Sequence, residues 1–223
     1  MPSIDIFYLL LFLIPLAAQG YVSSTYHKYL KVKSACNLTG YDMAKKILEK
    51  NNLGNLYIVE TPGVMSDHYD STRKVVKLSK DVYNGNSISS IAIAAHECGH
   101  AIQDKTGYLF LRIRSAIVPF VSISTKAAYL FIMVGAVLDA LELIEVGILL
   151  VGTGLVFQLI TLPVEINASR RAMQEMKKCG VLKNDTDGVK EMLISAALTY
   201  VAAVISSSLE VFRLVLRYLS RRN

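Results

Sequence analysis

The stretch ISSIAIAAHECGH, residues 88–100, joins a run of small and apolar side chains to a short polar motif. The run is typical of a buried helix. Residues four positions apart share one face of a helix, so His96 and His100 can hold a single metal ion. Glu97 follows His96 and can act as a base toward a water at that ion. The stretch therefore predicts a zinc-binding helix that still needs a third protein ligand.

The composition indicates a membrane protein. Hydrophobic residues make up 52% of the 223 residues, and the mean hydropathy of +0.39 is high for a soluble chain. The net charge is +6, but the basic residues are scattered and form no nucleic-acid-binding motif, so nucleic acid is not an expected partner. Three widely spaced cysteines suggest no disulfide framework. A lipid bilayer is the expected surrounding of part of the chain.

Apolar segments divide the chain into five parts. Residues 1–22 are predicted to be an uncleaved transmembrane anchor, because no Lys or Arg precedes the apolar run. Residues 116–163 are predicted to cross the bilayer twice as a hairpin, and residues 191–223 to form a fourth membrane segment with a basic tail. Residues 23–115 and 164–190 remain outside the lipid. The sequence leaves open whether the fourth segment crosses fully.

The distribution of charge predicts the orientation of a multi-pass protein in the cell membrane. Thirteen Lys and Arg residues lie between residues 22 and 115, which places this part, and with it the metal, on the cytoplasmic face. The turn inside the hairpin carries Asp139, Glu142 and Glu145 and no basic residue, as suits an extracytoplasmic loop. Lys126 lies within the second segment. It is expected to face the interior of the helix bundle, or the span is expected to begin later and tilt.

Short elements are predicted between the anchor and the hairpin. Two strand-like runs, Leu56–Glu60 and Lys74–Leu78, are expected to form a β-hairpin around a long polar loop. The second run could present its edge to an extended substrate. Ser87 is expected to cap the metal-binding helix, which should continue to about Asp104.

The third zinc ligand is sought among the acidic residues that follow His100. The acidic residues of the hairpin turn would lie across the bilayer from the metal-binding helix, about 30 Å away. Asp104 follows on the same helix, where a compact tetrahedral site is difficult to close. Glu165 falls where the third segment returns to the cytoplasmic face and where Pro163 can open a new helix. Glu175 would lie about 15 Å beyond Glu165 along the same helix, and it is expected on a solvated face. Glu165 is therefore the predicted third ligand.

Three stretches carry a resemblance to a known family: Ser66–Asp70, Ala94–Gln103, and Thr161–Glu165 with Ala168 and Ser169. The chain resembles the neutral zinc metallopeptidases of the bacterial YugP type, and the likeness covers nearly the whole chain. A membrane hairpin between HExxH and a later glutamate is also similar to HtpX-type membrane zinc proteases. Those proteases have Asp four residues after the ligand glutamate, where this chain has Ser169.

The resemblance implies a mainly α integral membrane protein. It would have a zincin-like metallopeptidase domain with a small β-hairpin and about four transmembrane or membrane-embedded helices. The implied activity is that of a membrane-bound zinc endopeptidase acting on membrane or membrane-proximal proteins. The alternative is a zinc-containing membrane scaffold or regulatory partner without proteolytic activity, in which a fourth protein ligand would close the zinc site.

Roles for single residues follow from zinc hydrolase chemistry. Zn²⁺ polarises the scissile carbonyl and activates water, and Glu97 takes the proton of that water. A donor for the developing oxyanion is expected nearby. His68, Tyr69 and Arg170 are the candidates for that donor, and His68 is the first choice, with a capping or loop-ordering role as its alternative. Tyr69 and Arg170 are also the candidates for substrate binding. The predicted metal ligands are His96, His100 and Glu165.

Overall fold

The computed structural model describes residues 2–182 and 185–222, which form seven helices and three strands. Residues 1 and 223, which bound the predicted anchor and tail, lie outside the described residues. The elements are α1 (Pro2–Leu30), α2 (Gly40–Lys50), β1 (Tyr57–Thr61), β2 (His68–Asp70), β3 (Val75–Ser79), α3 (Lys80–Asn84), α4 (Ile88–Lys105), α5 (Leu109–Val137), α6 (Leu141–Lys178) and α7 (Thr186–Arg222). The mainly helical class predicted from the sequence is confirmed.

Four helices in the described part of the chain are long and apolar enough to cross a membrane, as the hydropathy pattern predicted. They are Ile6–Leu30, Leu109–Val137, Leu141–Lys178 and Thr186–Ser220. Two details of the prediction are wrong. Pro163 lies inside α6 and opens no new helix; a proline removes a single backbone N–H, which a long helix can tolerate. Lys126 is exposed, so the alternative that places it in the bundle interior is wrong, and a span that begins later stays a prediction.

The chain divides into two compact units. The first contains residues 1–19, 109–163 and 199–223, and its small core includes Ala128, Ile144, Ile148, Val151 and Leu214. The second contains residues 20–108 and 164–198. The segment boundaries drawn from hydropathy and charge stay a prediction.

Helix α4 is the centre of the second unit. Its N-cap residue Ser87 accepts a hydrogen bond from the backbone N–H of Ser90. Apolar and small residues along α4 are buried against all neighbouring elements, as its composition predicted. The core around it includes Met43, Ile47, Val76, Leu78, Ala172, Met176, Val189 and Met192. The metal motif therefore lies on a helix that packing holds firmly in place.

The sheet has the strand order β1-β3-β2. Strands β1 and β3 are parallel, with Tyr57 opposite Val75, so the predicted hairpin between them is wrong. The observed hairpin joins β2 to β3, with His68 opposite Lys77. Strand β3 is central and presents no free edge to a substrate, which corrects the second expectation. The edges of this three-stranded sheet are β1 and β2.

Candidate metal centre

Three side chains converge at the C-terminal part of α4. His96, His100 and Glu165 each direct one donor atom to a common point, and these atoms lie within 4.8 Å of one another. The Nε2 atoms of His96 and His100 lie 3.2 and 3.4 Å from Glu165 Oε2. Glu165 is 2% exposed, so its carboxylate is removed from bulk water. The structure thus brings together the three residues singled out in the sequence.

The spacing of these donor atoms suits zinc. Two ligand atoms that each lie about 2.05 Å from a tetrahedral ion are about 3.3 Å apart. Both measured distances to Glu165 Oε2 are close to this value. Two imidazole nitrogens and one carboxylate oxygen are also a donor set found in catalytic zinc sites. The donor types, and the distances of both imidazole nitrogens from the carboxylate oxygen, therefore fit a zinc ion.

A close approach between α4 and α6 positions the third donor. A Cβ atom added at Gly99 would lie 2.5 Å from the carbonyl oxygen of Ala168. Real side chains do not approach a carbonyl so closely, so only glycine permits this separation of the two helices. Glu165 lies one turn before Ala168 on α6. The glycine of the HECGH motif thus allows the carboxylate to reach the two histidines.

The outer nitrogen of each imidazole has a hydrogen-bond partner. His96 Nδ1 lies 3.1 Å from the hydroxyl oxygen of Ser169, and His100 Nδ1 lies 3.0 Å from the amide oxygen of Gln103. Such partners orient metal-binding imidazoles. The sequence reasoning did not predict these roles. The spacing carried a signal for Gln103, which lies one helical turn after His100, but not for Ser169, which contacts a histidine of another helix.

A hydrogen bond from the sheet fixes the position of Glu97. Its carboxylate Oε2 accepts a hydrogen bond of 2.9 Å from the backbone N–H of Tyr69 in β2. Glu97 is 8% exposed. A carboxylate can accept about four hydrogen bonds, so this contact orients Glu97 and still lets it take up a proton.

The other candidate residues have different surroundings. His68 is exposed, and its Nδ1 lies 2.8 Å from the carbonyl oxygen of Ser66. The Tyr69 hydroxyl donates to Asp104 Oδ2 at 2.7 Å, and burial, with this hydrogen bond, raises the pKa of Tyr69. Arg170 is exposed, and five helical positions turn it about 140° away from Glu165. The roles of His68, Tyr69 and Arg170 stay predictions.

Glu175, which was considered and rejected as a ligand, has other partners. It accepts hydrogen bonds from Asn51 Nδ2 at 2.8 Å and Lys178 Nζ at 2.6 Å. Its burial corrects the expectation of a solvated residue. The cost of burial is offset here by the charge of Lys178 and by the hydrogen bond from Asn51.

Comparisons with known proteins agree with this chemistry. Residues 4–219 match the family described as "Putative neutral zinc metallopeptidase". The chain belongs to this zinc metallopeptidase family. It is 44% identical over 207 residues to the "Putative membrane protease YugP" of Bacillus subtilis (strain 168), with 92% of each chain covered. No solved structure matches the chain.

Membership of this family implies that the metal ion is Zn²⁺. The cluster of His96, His100 and Glu165 could hold it, because its donors are of the type that zinc binds and lie within 4.8 Å of one another. The family resemblance drawn from the motifs is thereby confirmed.

Proposed function

We propose that the chain is a membrane-bound zinc endopeptidase that cleaves membrane or membrane-proximal proteins. The observation that carries the proposal is the convergence of His96, His100 and Glu165 next to an oriented Glu97. The family assignment and the name of the Bacillus subtilis relative support it. The four apolar helices support residence in the membrane.

Each residue of the centre has a proposed part in peptide hydrolysis. His96, His100 and Glu165 hold the ion, and Ser169 and Gln103 orient the two imidazoles. Bound zinc supplies a Lewis acid that acidifies water and polarises a carbonyl. Glu97, held by the Tyr69 N–H, accepts the proton of the attacking water and returns it to the leaving amine.

Stabilisation of the oxyanion is proposed to come from a side chain near β2. His68 donates its Nδ1 proton to the Ser66 carbonyl, because a carbonyl can only accept. A neutral His68 therefore has no second proton, and it could donate from Nε2 only as an imidazolium. The Tyr69 hydroxyl would have to leave Asp104 before it could donate to a substrate. His68, on the strand whose backbone holds Glu97, is our proposal for this role.

We place the active site at the cytoplasmic face of the cell membrane. The thirteen basic residues between residues 22 and 115 support this orientation through the positive-inside tendency. The second compact unit, which contains most of these residues, also contains the candidate ligands.

A scaffold with a structural zinc ion is the rival hypothesis. Structural zinc sites are closed by four protein ligands. Among the described residues, the cluster found here offers three donors, His96, His100 and Glu165. A set of three protein donors favours catalysis over a purely structural ion.

The proposal is tested with the full-length protein purified in detergent or lipid. We expect Glu97→Gln to keep one zinc ion and to lose cleavage, because the amide cannot accept the proton of water. Glu165→Ala should weaken zinc retention, because it removes a ligand. Glu49→Gln is a matched control on the exposed side of α2, and it should leave both properties unchanged.

Substrates can be found by comparing the proteomes of membranes that carry wild type or Glu97→Gln. Proteins that accumulate only with Glu97→Gln, and that purified wild type cleaves, would support the endopeptidase. Cleavage by purified Glu97→Gln at the wild-type rate would disprove the mechanism.

A further inference from the structure

Gln103 makes an unusually complete set of hydrogen bonds beside the metal centre. It is 0% exposed and lies three residues after His100 on α4. Its amide oxygen lies 3.0 Å from His100 Nδ1. Its amide nitrogen donates to the carbonyl oxygen of Val164 at 2.8 Å and to Asn167 Oδ1 at 3.0 Å. One buried amide therefore contacts both helices that supply ligands.

The Val164 carbonyl determines which way this amide points. A carbonyl oxygen can only accept, so the NH₂ group of Gln103 must face it. Asn167 agrees with this orientation, because its Oδ1 also accepts from Arg171 Nε at 2.8 Å. The Gln103 oxygen is then left to face His100. An amide oxygen can only accept, so His100 Nδ1 must carry the proton.

This assignment has a direct consequence for metal binding. With the proton on Nδ1, the lone pair of His100 is on Nε2, the atom that lies 3.4 Å from Glu165 Oε2. Val164, which also bonds to Gln103, is the residue immediately before Glu165. The same amide thus acts on a ligand of α4 and on the backbone beside a ligand of α6.

We propose that Gln103 is a positioning residue that fixes the metal-binding tautomer of His100 and holds Glu165 against it through Val164 and Asn167. This inference rests on the proposed zinc site. It gives Gln103 a role that differs from that of Ser169 at His96. A hydroxyl can donate or accept, so Ser169 permits either tautomer of His96, whereas the amide of Gln103 permits only one tautomer of His100.

The test compares three variants of the full chain. Gln103→Met keeps the length and burial of the side chain but loses every hydrogen bond. Gln103→Glu keeps an acceptor for His100 Nδ1 but, as a carboxylate, loses both hydrogen bonds that the Gln103 NH₂ group donates. Ser89→Ala is the matched control, because it removes a buried hydrogen bond to the Tyr26 carbonyl from the same helix, away from the donor cluster.

Zinc affinity is measured by competition with a chelator. Loss of an outer hydrogen-bond partner of a zinc ligand weakens binding by about 10- to 100-fold, so this loss is expected for Gln103→Met. Gln103→Glu should bind zinc more tightly than Gln103→Met, because the acceptor is restored. Ser89→Ala should bind as wild type does. Equal affinity of Gln103→Met and wild type would overturn the proposal, as would equal affinity of the Met and Glu variants.

A spectroscopic measurement separates positioning from general stability. In zinc-loaded wild type, nitrogen NMR should show His100 bound through Nε2, with an Nδ1 proton protected from exchange. Gln103→Met should lose that protection. Zinc on Nδ1 of His100 in wild type would overturn the proposal.

The two proposals can fail separately. A wild-type protein that shows these zinc and NMR properties but cleaves no peptide would support the role of Gln103 and refute the peptidase. A Gln103→Met protein that cleaves peptides and binds zinc as wild type does would refute the role of Gln103 alone.

Discussion

His100 is subject to opposing influences on its charge. Burial disfavours the imidazolium, but the hydrogen bond and charge of Glu165, with the charge of Glu97, outweigh burial and raise the pKa of His100. His100 Nε2 lies 3.4 Å from Glu165 Oε2, so the imidazolium form of His100 is paired with this carboxylate. Zinc binding must displace the proton from Nε2, so protons and zinc compete for one atom.

The pH dependence of the metal-free protein follows from this shift. A raised pKa in the folded state stabilises the fold below the unfolded pKa of about 6.5, and this stability is lost as pH rises through the folded pKa of His100. We therefore expect the melting temperature of the metal-free protein to fall over this window while zinc affinity rises. Melting curves and chelator competition between about pH 6 and pH 9 measure both.

The variant His100→Gln lacks the titrating group and serves as the reference. The difference in melting temperature between wild type and this variant should shrink as pH rises. A difference that grows with pH would contradict the assigned direction of the pKa shift.

Part of the centre could be predicted at the scale of residues. The four-residue spacing of His96 and His100 requires only a helix, and a later glutamate returning from a membrane hairpin was sufficient to single out Glu165. The contacts of Gln103 with Val164 and Asn167, and of the Tyr69 N–H with Glu97, could not be predicted. They depend on where α6 and β2 cross α4, and no local pattern encodes those crossings.

At the scale of elements, the separation of α4 and α6 is set by Gly99. We expect Gly99→Ala to weaken zinc binding by roughly ten- to hundredfold, because the added methyl group overpacks the crossing at a cost of about 1–3 kcal/mol. The Ala168 carbonyl belongs to the backbone, so relief requires a shift of α6 that also moves Glu165. Chelator competition and circular dichroism of the purified variant measure zinc affinity and helix content.

Gly152→Ala is the matched control on α6. An added Cβ there meets nothing within 4 Å, so zinc affinity should stay as in wild type. Wild-type zinc affinity in Gly99→Ala would show that the crossing has slack and would remove the glycine from the determinants of the site.

The positions of two strands could be predicted from the sequence, but their relative direction could not. Apolar runs placed β1 and β3 almost correctly, because alternation and turn residues are local signals. Their relative direction is not local. Residues 62–74 are about the dozen needed for a parallel crossover, and they also contain β2, which is too short to show a periodic pattern. The inserted β2 converts an expected hairpin into a mixed sheet.

At the scale of the whole molecule, the orientation in the membrane can be tested by cysteine labelling. Cys36→Ser and Cys179→Ser remove the two partly accessible thiols, whereas Cys98 is fully buried. In this background we expect Arg73→Cys, in the turn before β3, to react with an impermeant maleimide only after cells are permeabilised. Leu138→Cys, between α5 and α6, should react in intact cells.

Both reporter positions are exposed, so accessibility to the reagent depends on the side of the membrane. The opposite labelling pattern would place the metal centre outside the cell.

The count of basic residues predicted the cytoplasmic side, and hydropathy predicted the four helices that are long enough to cross a membrane. The continuity of α6 through Pro163 was not predictable, because proline both begins helices and occurs inside long apolar ones.

The close approach at Gly99 also limits how this lineage can evolve. A clash with a side chain can be relieved by a second substitution that makes the partner smaller. The obstacle here is a carbonyl oxygen, which every amino acid carries, so no substitution at position 168 removes it. Exchange of the glycine therefore requires a shift of the backbone where α4 and α6 cross, so a single substitution at this position is disfavoured whatever residue occupies position 168.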